Sequence, residues 1–210
     1  MNTYSETFKY DNWRVCTYQP ANKVGSNTNM KYSNYKIHDD RIEFDFYEFY
    51  FSSLRKNSTL TIDRIKEVDL NTFPYSLEID NGEIVFFNHD DRDRIKEFIK
   101  INKIQVSNRV DIWNLLSNDF LDTGFTTEEK QGHKKTLVEN GFTENEIKKI
   151  KKRIKWTLSG TMEWQYLGHW DLLAMKQNRN PFYPYYGENF YWWTMGIALK
   201  GKDNATIDDR

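Results

Sequence analysis

Residues 41–51 read RIEFDFYEFYF, and the first six positions of this stretch alternate between polar and apolar side chains. Because successive side chains of a strand point to opposite faces of a sheet, this alternation predicts a half-buried β-strand. The apolar face is formed by Ile42, Phe44 and Phe46, and the charged face includes Glu43 and Asp45. The alternation fails at residues 49–51, where we expect a bulge or a strand covered on both faces.

Short β-like runs with turn residues between them lie on both sides of this stretch. They are Tyr35–His38, Ser58–Ile62, Ile65–Leu70, Tyr75–Ile79 and Ile84–Asn88. Residues 38–41 (HDDR) and 80–83 (DNGE) predict tight hairpins, and Asn81-Gly82 is the preferred pair for a turn in which both central residues have positive φ. Together the runs predict one antiparallel sheet, curled or barrel-like.

The first amphipathic helix comes after the strands at Asp90–Ile101, and its apolar residues Ile95, Phe98 and Ile99 are spaced for one buried stripe. In strand order and in this single closing helix, Tyr35–Ile104 resembles bacterial PH-like domains, which are curled antiparallel sheets plugged at one end by a helix. The resemblance covers about a third of the chain.

The resemblance implies a binding scaffold for lipid headgroups or peptides, with specificity in the loops. PH domains of the phosphoinositide-binding type carry several basic residues on the first hairpin. The matching hairpin here has Asp39 and Asp40 at its tip. For this chain the resemblance therefore implies a protein partner or self-association rather than a lipid.

The second half of the chain has a helical period. Two similar segments, GFTTEE at residues 124–129 and GFTENE at residues 141–146, each space a Thr and a Glu as a capping box, which predicts two helix starts and an antiparallel helix pair. A run from Thr143 to Met175, with a break near Ser159-Gly160, predicts a buried central helix.

These patterns predict an α+β protein whose β-rich first half precedes a helical second half. We expect an irregular segment at 1–34 with one possible strand at Trp13–Gln19, a PH-like β domain at 35–104, an all-helical domain at 105–201 and a disordered polar tail at 202–210.

Composition narrows the function classes. The net charge is -1 and the pI is near 6.4, so no global field favours nucleic acid or an anionic membrane. The single cysteine, Cys16, fits a reducing compartment, and the polar start at residues 1–10 is unlike a signal peptide. We expect a cytoplasmic protein without a membrane span, from a bacterium or phage with an AT-rich genome.

The catalytic hypothesis rests on ionisable residues in the apolar segment of the second half. Glu163, His169 and Asp171 interrupt that segment, and a carboxylate with an imidazole is a usual acid–base pair. The alternative interpretation is that His169 is a satisfied structural histidine. The sequence has no spacing typical of metal ligands and no Gly-rich phosphate loop, so it predicts no metal and no cofactor.

A basic run is the candidate for nucleic-acid binding, since Lys and Arg on a helix neutralise phosphates. Its members are Lys148, Lys149, Lys151, Lys152, Arg153 and Lys155. Isoleucines within the run are spaced for one face, so the favoured interpretation is the solvated face of an amphipathic helix, with RNA, DNA or an acidic protein as less favoured partners. Lysine contacts phosphate but does not read base edges, which disfavours sequence-specific DNA binding.

Residues 182–193 are dense in aromatic side chains. They predict core packing, with a partner surface as the next interpretation and a small-ligand pocket as the third. The predicted partner contacts are Tyr183, Tyr185, Tyr186, Tyr191 and Trp192.

The leading hypothesis is a non-catalytic interaction protein. The alternatives are an enzyme or small-ligand protein with a pocket between the halves near His169, and a nucleic-acid-binding protein using Lys148–Lys155.

Overall fold

The structure is a computed structural model that describes residues 33–107, 109–120, 125–158 and 167–202. It is mixed α+β, which confirms the predicted class: the described strands all precede residue 108, and helices make up most of the described chain after that residue. Several predictions lie outside the described residues: the strand at Trp13–Gln19, nearly all of segment 1–34, Glu163, and residues 203–210 of the tail.

The described part contains seven strands and seven α-helices. The strands are β1 (Asn34–Ile37), β2 (Arg41–Phe46), β3 (Lys56–Thr61), β4 (Ile65–Asp69), β5 (Ser76–Ile79), β6 (Ile84–Phe86) and β7 (Val106–Ser107). The helices are α1 (Arg92–Asn102), α2 (Ile112–Ser117), α3 (Thr127–Glu139), α4 (Glu144–Leu158), α5 (His169–Asn178), α6 (Tyr183–Tyr186) and α7 (Glu188–Leu199).

The strands form two sheets rather than the single sheet predicted. Strands β1, β2 and β3 make an antiparallel sheet in that order. The second sheet has the order β6-β5-β4-β7, in which β7 returns after α1 and pairs parallel with β4. A short 3₁₀ turn at Ile62–Arg64 separates β3 from β4 and marks the change of sheet.

Both predicted hairpins form, but the second turn differs in its backbone. His38 N–H donates to the Arg41 carbonyl over 2.9 Å in the first hairpin. In the second, Gly82 has φ +77°, whereas Asn81 is not among the residues with positive φ. Gly82 N–H donates to the Ile79 carbonyl, and Ile79 N–H to that of Glu83. This is the pattern of a longer hairpin loop that needs only one left-handed residue.

The prediction of a bulged or doubly covered strand at residues 49–51 is wrong, because β2 ends at Phe46. The chain then turns, and the backbone N–H of Tyr47 donates to the Arg55 carbonyl at the far end of the connection. Tyr47, Phe49 and Leu54 are buried. Of the three residues that break the alternation, Phe49 fills the core from the connection between β2 and β3, Phe51 is partly buried and Tyr50 is 39% exposed.

The predicted helix starts are confirmed. Thr126 and Glu129 form a reciprocal capping box at the start of α3. Thr143 and Glu146 make the same pair of bonds before α4. Gly141, with φ +81°, lies between the two helices in the left-handed conformation that ends a helix.

The two halves share one hydrophobic core. Tyr191 on α7 donates its hydroxyl to Glu83 beside β6 over 2.6 Å, and Phe86 on β6 packs on His169 with ring centroids 5.3 Å apart. The PH-like curl and the boundary near residue 104 stay predictions. Among the described helices, none is long and apolar enough to cross a membrane.

Candidate functional sites

The aromatic rings in and just before helix α6 point either into the core or into solvent. Tyr183 is fully buried, whereas Phe182, Tyr185 and Tyr186 are 63%, 85% and 55% exposed. The turn is set by Asn180, whose backbone carbonyl accepts from Tyr183 N–H and whose side-chain oxygen accepts from Phe182 N–H. One buried ring therefore anchors three exposed ones to the core.

The connection between β2 and β3 lies against α6. The Phe51 ring lies 5.3 Å from the Tyr183 ring, and Tyr50 lies 5.0 Å from Phe51. Gly187 allows this approach, because a Cβ there would come within 2.4 Å of Tyr183 and 2.7 Å of Phe51. Tyr50, itself 39% exposed, is thus held beside α6.

Arg55 adds a cation to this region. Its guanidinium lies 4.2 Å from the centre of the Tyr50 ring and 5.5 Å from that of Phe46. Partial burial lowers the pKa of Arg55, and within the described residues its guanidinium has no carboxylate partner. We call Tyr50, Arg55, Phe182, Tyr185 and Tyr186 the aromatic surface.

The structure separates the five predicted partner contacts. Tyr185 and Tyr186 belong to the aromatic surface, whereas Tyr183 and Tyr191 are fully buried and Trp192 is half-buried against the Tyr191 ring. Burial raises the pKa of Tyr183 and Tyr191, so both hydroxyls keep their protons. In this conformation Tyr183 and Tyr191 cannot touch a partner.

His169, the candidate catalytic base, lies in the core between the two halves at the start of α5. Its ring stacks on Trp113 at 5.6 Å and meets Phe86 edge-on. Among the described residues, neither ring nitrogen has a hydrogen-bond partner. Burial, and to a smaller extent the Arg109 cation, lowers the pKa of His169 to about 3, so the imidazole is neutral at pH 7.

Arg109 stands beside this histidine in a cluster of buried acids. Its guanidinium lies 3.2 Å from Glu78, 3.4 Å from Glu67 and 3.7 Å from Asp69. Burial raises the pKa of Asp69 to about 6. One arginine thus holds three carboxylates in the core, and we call these four residues with His169 the buried polar cluster.

Asp171 does not pair with His169. It lies at the third position of α5, and its carboxylate accepts the Gly168 N–H over 2.8 Å, as a capping residue does. Burial raises the pKa of Asp171 to about 7. The predicted acid–base pair is not formed by the described residues, and Glu163 lies outside them.

The space beside His169 is small. A cleft lined by Asp69, Arg109, Trp113 and His169 has a volume of about 20 Å³, which holds about one water molecule. Within the described ranges, no group of three or more His, Cys, Asp or Glu side chains is placed to hold a metal ion.

The basic run lies on α4. Ile147, Ile150 and Ile154 of this helix are buried. Lys151 pairs with Asp119 over 2.6 Å. The other five members, Lys148, Lys149, Lys152, Arg153 and Lys155, lie on exposed positions.

Comparisons with protein-family models, with curated proteins and with solved structures find no match to this chain. They neither support nor oppose the PH-like resemblance.

Sequence reasoning missed Tyr50, Arg55 and Arg109. The break in alternation at residues 49–51 was the available signal for Tyr50. Three consecutive aromatic residues cannot all lie on the buried face of one strand, so some of them pack elsewhere or stay at the surface. Arg109 had no signal, since its partners come from β4 and β5, about 30 to 40 residues earlier in the chain.

Proposed function

We propose that this chain is a non-catalytic cytoplasmic interaction protein that binds a protein partner through the aromatic surface. The observation that carries the proposal is the exposure of Phe182, Tyr185 and Tyr186, by 63%, 85% and 55%, within five consecutive residues. Tyrosine rings next to one another on a surface provide large contact area at low entropy cost, as in binding hot spots.

Arg55 supports a partner with an acidic group. A guanidinium stacked on Tyr50 is held in place, and within the described residues no carboxylate neutralises it. A partner carboxylate reaching Arg55 would form a charge-assisted bond beside the aromatic rings. The implied partner is a protein segment with apolar side chains flanking an Asp or Glu.

An enzyme using His169 is less well supported. Its imidazole is enclosed, Asp171 bonds to the backbone instead, and the adjoining cleft of about 20 Å³ is too small for a substrate. General-base catalysis needs the base within hydrogen-bond reach of the substrate.

Photo-cross-linking in a lysate of the source organism tests the proposal. The full chain carries p-benzoylphenylalanine at position 185, and the matched control carries it at exposed Lys96 on α1. We expect one protein cross-linked from 185 and not from 96, competed by excess unlabelled wild type but not by an Arg55→Gln/Tyr186→Ala variant. Cross-linking that the variant competes as well as the wild type would contradict the proposal.

A further inference from the structure

Trp156 is 83% exposed, the second most exposed of the chain's large hydrophobic side chains in the described part. It lies in the last turn of α4, on the face opposite the buried isoleucines. The residues three, four and seven positions before it are Arg153, Lys152 and Lys149, which helical geometry places along the same face. An indole thus lies among cations on the surface.

The two acids at the start of α4 form their ion pairs with lysines of other elements. Glu144 pairs with Lys134 of α3 over 2.9 Å, and Glu146 pairs with Lys200 over 2.7 Å. Lys148 is close enough to Glu144 to help lower the pKa of that carboxyl, whereas among the described residues no ion pair involves Lys149 or Lys152. Most of the positive charge of the face is therefore not offset by a paired carboxylate, although the whole chain is nearly neutral.

Arg153 and Lys176 extend this charge across two neighbouring helices. Arg153 lies 3.9 Å from the centre of the Trp193 ring, and both cations lie within 6 Å of the Phe190 ring, at 5.7 Å and 5.1 Å. Neither has a carboxylate partner among the described residues. Ring stacking positions these two cations, which leaves their N–H donors available to an anion.

We infer that this face, formed by Lys148, Lys149, Lys152, Arg153, Trp156 and Lys176, binds single-stranded nucleic acid. Lysine and arginine neutralise the phosphates, while the exposed Trp156 indole stacks on one base. A duplex keeps its bases stacked, so it offers the indole no ring face. An acidic peptide would satisfy the cations but gives Trp156 no planar partner.

The test is fluorescence anisotropy of a labelled twelve-residue oligothymidylate with the full chain. Five cations contacting phosphate predict a log–log salt slope of about −3.5, so affinity falls about 130-fold between 50 and 200 mM salt. We expect Trp156→Ala to weaken binding about tenfold and Trp156→Phe to restore most of it. Lys152→Gln should reduce the slope by about 0.7.

Two variants serve as matched controls. Lys100→Gln removes an exposed lysine of α1, and Tyr185→Ala removes an exposed ring of the aromatic surface. Both should bind the oligonucleotide as the wild type does. Absent binding at 50 mM salt, tighter binding of a duplex of the same length, equal binding of poly-glutamate, or an unchanged affinity in Trp156→Ala would each overturn the inference. Tyr185→Ala also keeps this test independent of the protein-partner proposal.

Discussion

The aromatic surface and the buried polar cluster both contain residue types that are common at functional sites. They differ in that the cluster is enclosed in the core, whereas the aromatic surface is exposed to solvent. In the buried polar cluster, Arg109 is surrounded by three carboxylates and His169 is enclosed by two aromatic rings. On the aromatic surface, Arg55 stacks on the Tyr50 ring and forms no ion pair with a carboxylate of the described residues, and Tyr185 is 85% exposed. Cations that are paired inside hold the fold together, whereas unpaired ones at the surface remain available to a partner.

This difference predicts that mutations in the two regions affect different properties, stability in one and binding in the other. Substitutions in the buried polar cluster lower the free energy of unfolding, and those on the aromatic surface change binding and leave stability nearly unaltered. Comparisons at Arg109, His169 and Tyr185 test that separation, and a comparison at Asp171, two residues after His169, tests the burial of a neighbouring carboxyl. They follow from the largest expected effect to the smallest.

Arg109→Met should be the most damaging single substitution. It removes the cation that three buried carboxylates share, and breaking a buried ion pair costs about 3–5 kcal/mol. Urea unfolding followed by circular dichroism measures the loss. The matched control is Lys66→Met, which removes the half-exposed partner of Glu78, 3.3 Å away, and should cost less than about 1 kcal/mol. Equal effects of the two variants would show that Arg109 does not hold the cluster.

His169 allows packing to be separated from polarity. His169→Ala leaves a cavity between Trp113 and Phe86 and should cost about 2–4 kcal/mol. His169→Phe keeps a ring there and removes two ring nitrogens that lack described partners, so its free energy of unfolding should match or exceed that of the wild type. If His169→Phe is as unstable as His169→Ala, the imidazole makes a hydrogen bond beyond the described contacts.

Asp171 should produce a pH dependence of definite sign. Its native pKa of about 7 lies above the ordinary 3.8, so between these values the native carboxyl holds a proton that the unfolded one has lost. Stability from this group is therefore present at low pH and lost as the pH rises through this window. Urea unfolding measures the free energy of unfolding of the wild type and of Asp171→Asn at each pH. The wild-type value minus the Asp171→Asn value should fall from pH 4 to pH 7. A rising difference would contradict the burial of this carboxyl.

The smallest expected change in stability is on the aromatic surface. Tyr185→Ala removes an exposed ring and should change the free energy of unfolding by less than about 0.5 kcal/mol. Tyr183→Ala, two residues earlier, removes a fully buried ring and should cost about 3–5 kcal/mol. Thermal unfolding of the two variants side by side measures the contrast. Similar losses of stability in the two variants would mean that the Tyr185 ring also packs against the rest of the protein.

The sequence predicted the elements whose signals are local. The alternation at residues 41–46, the capping boxes at Thr126 and Thr143, and the stripe of α1 all depend on neighbours within a few residues. It did not predict the division into two sheets or the return of β7 to β4. These depend on pairings between distant residues, such as Val68 with Val106, for which one sequence has no signal.

The same limit applies to the candidate sites. The density of aromatic residues at 182–193 was evident, but which rings face outward depends on how α6 packs on Phe51. His169 was noticed as an unusual polar residue in an apolar segment. Its neighbours Trp113 and Arg109 come from other elements and could not be paired with it in advance.

The measurement that tests the central claim most directly is a calorimetric titration of the cross-linked partner, once purified, against wild type, Arg55→Gln and Tyr185→Ala, with Trp156→Ala as the control. We predict at least about a tenfold loss of affinity in each of the first two variants, with unchanged unfolding, and none in the control. Affinities of Arg55→Gln and Tyr185→Ala within about twofold of the wild type would contradict the claim that the aromatic surface binds the partner.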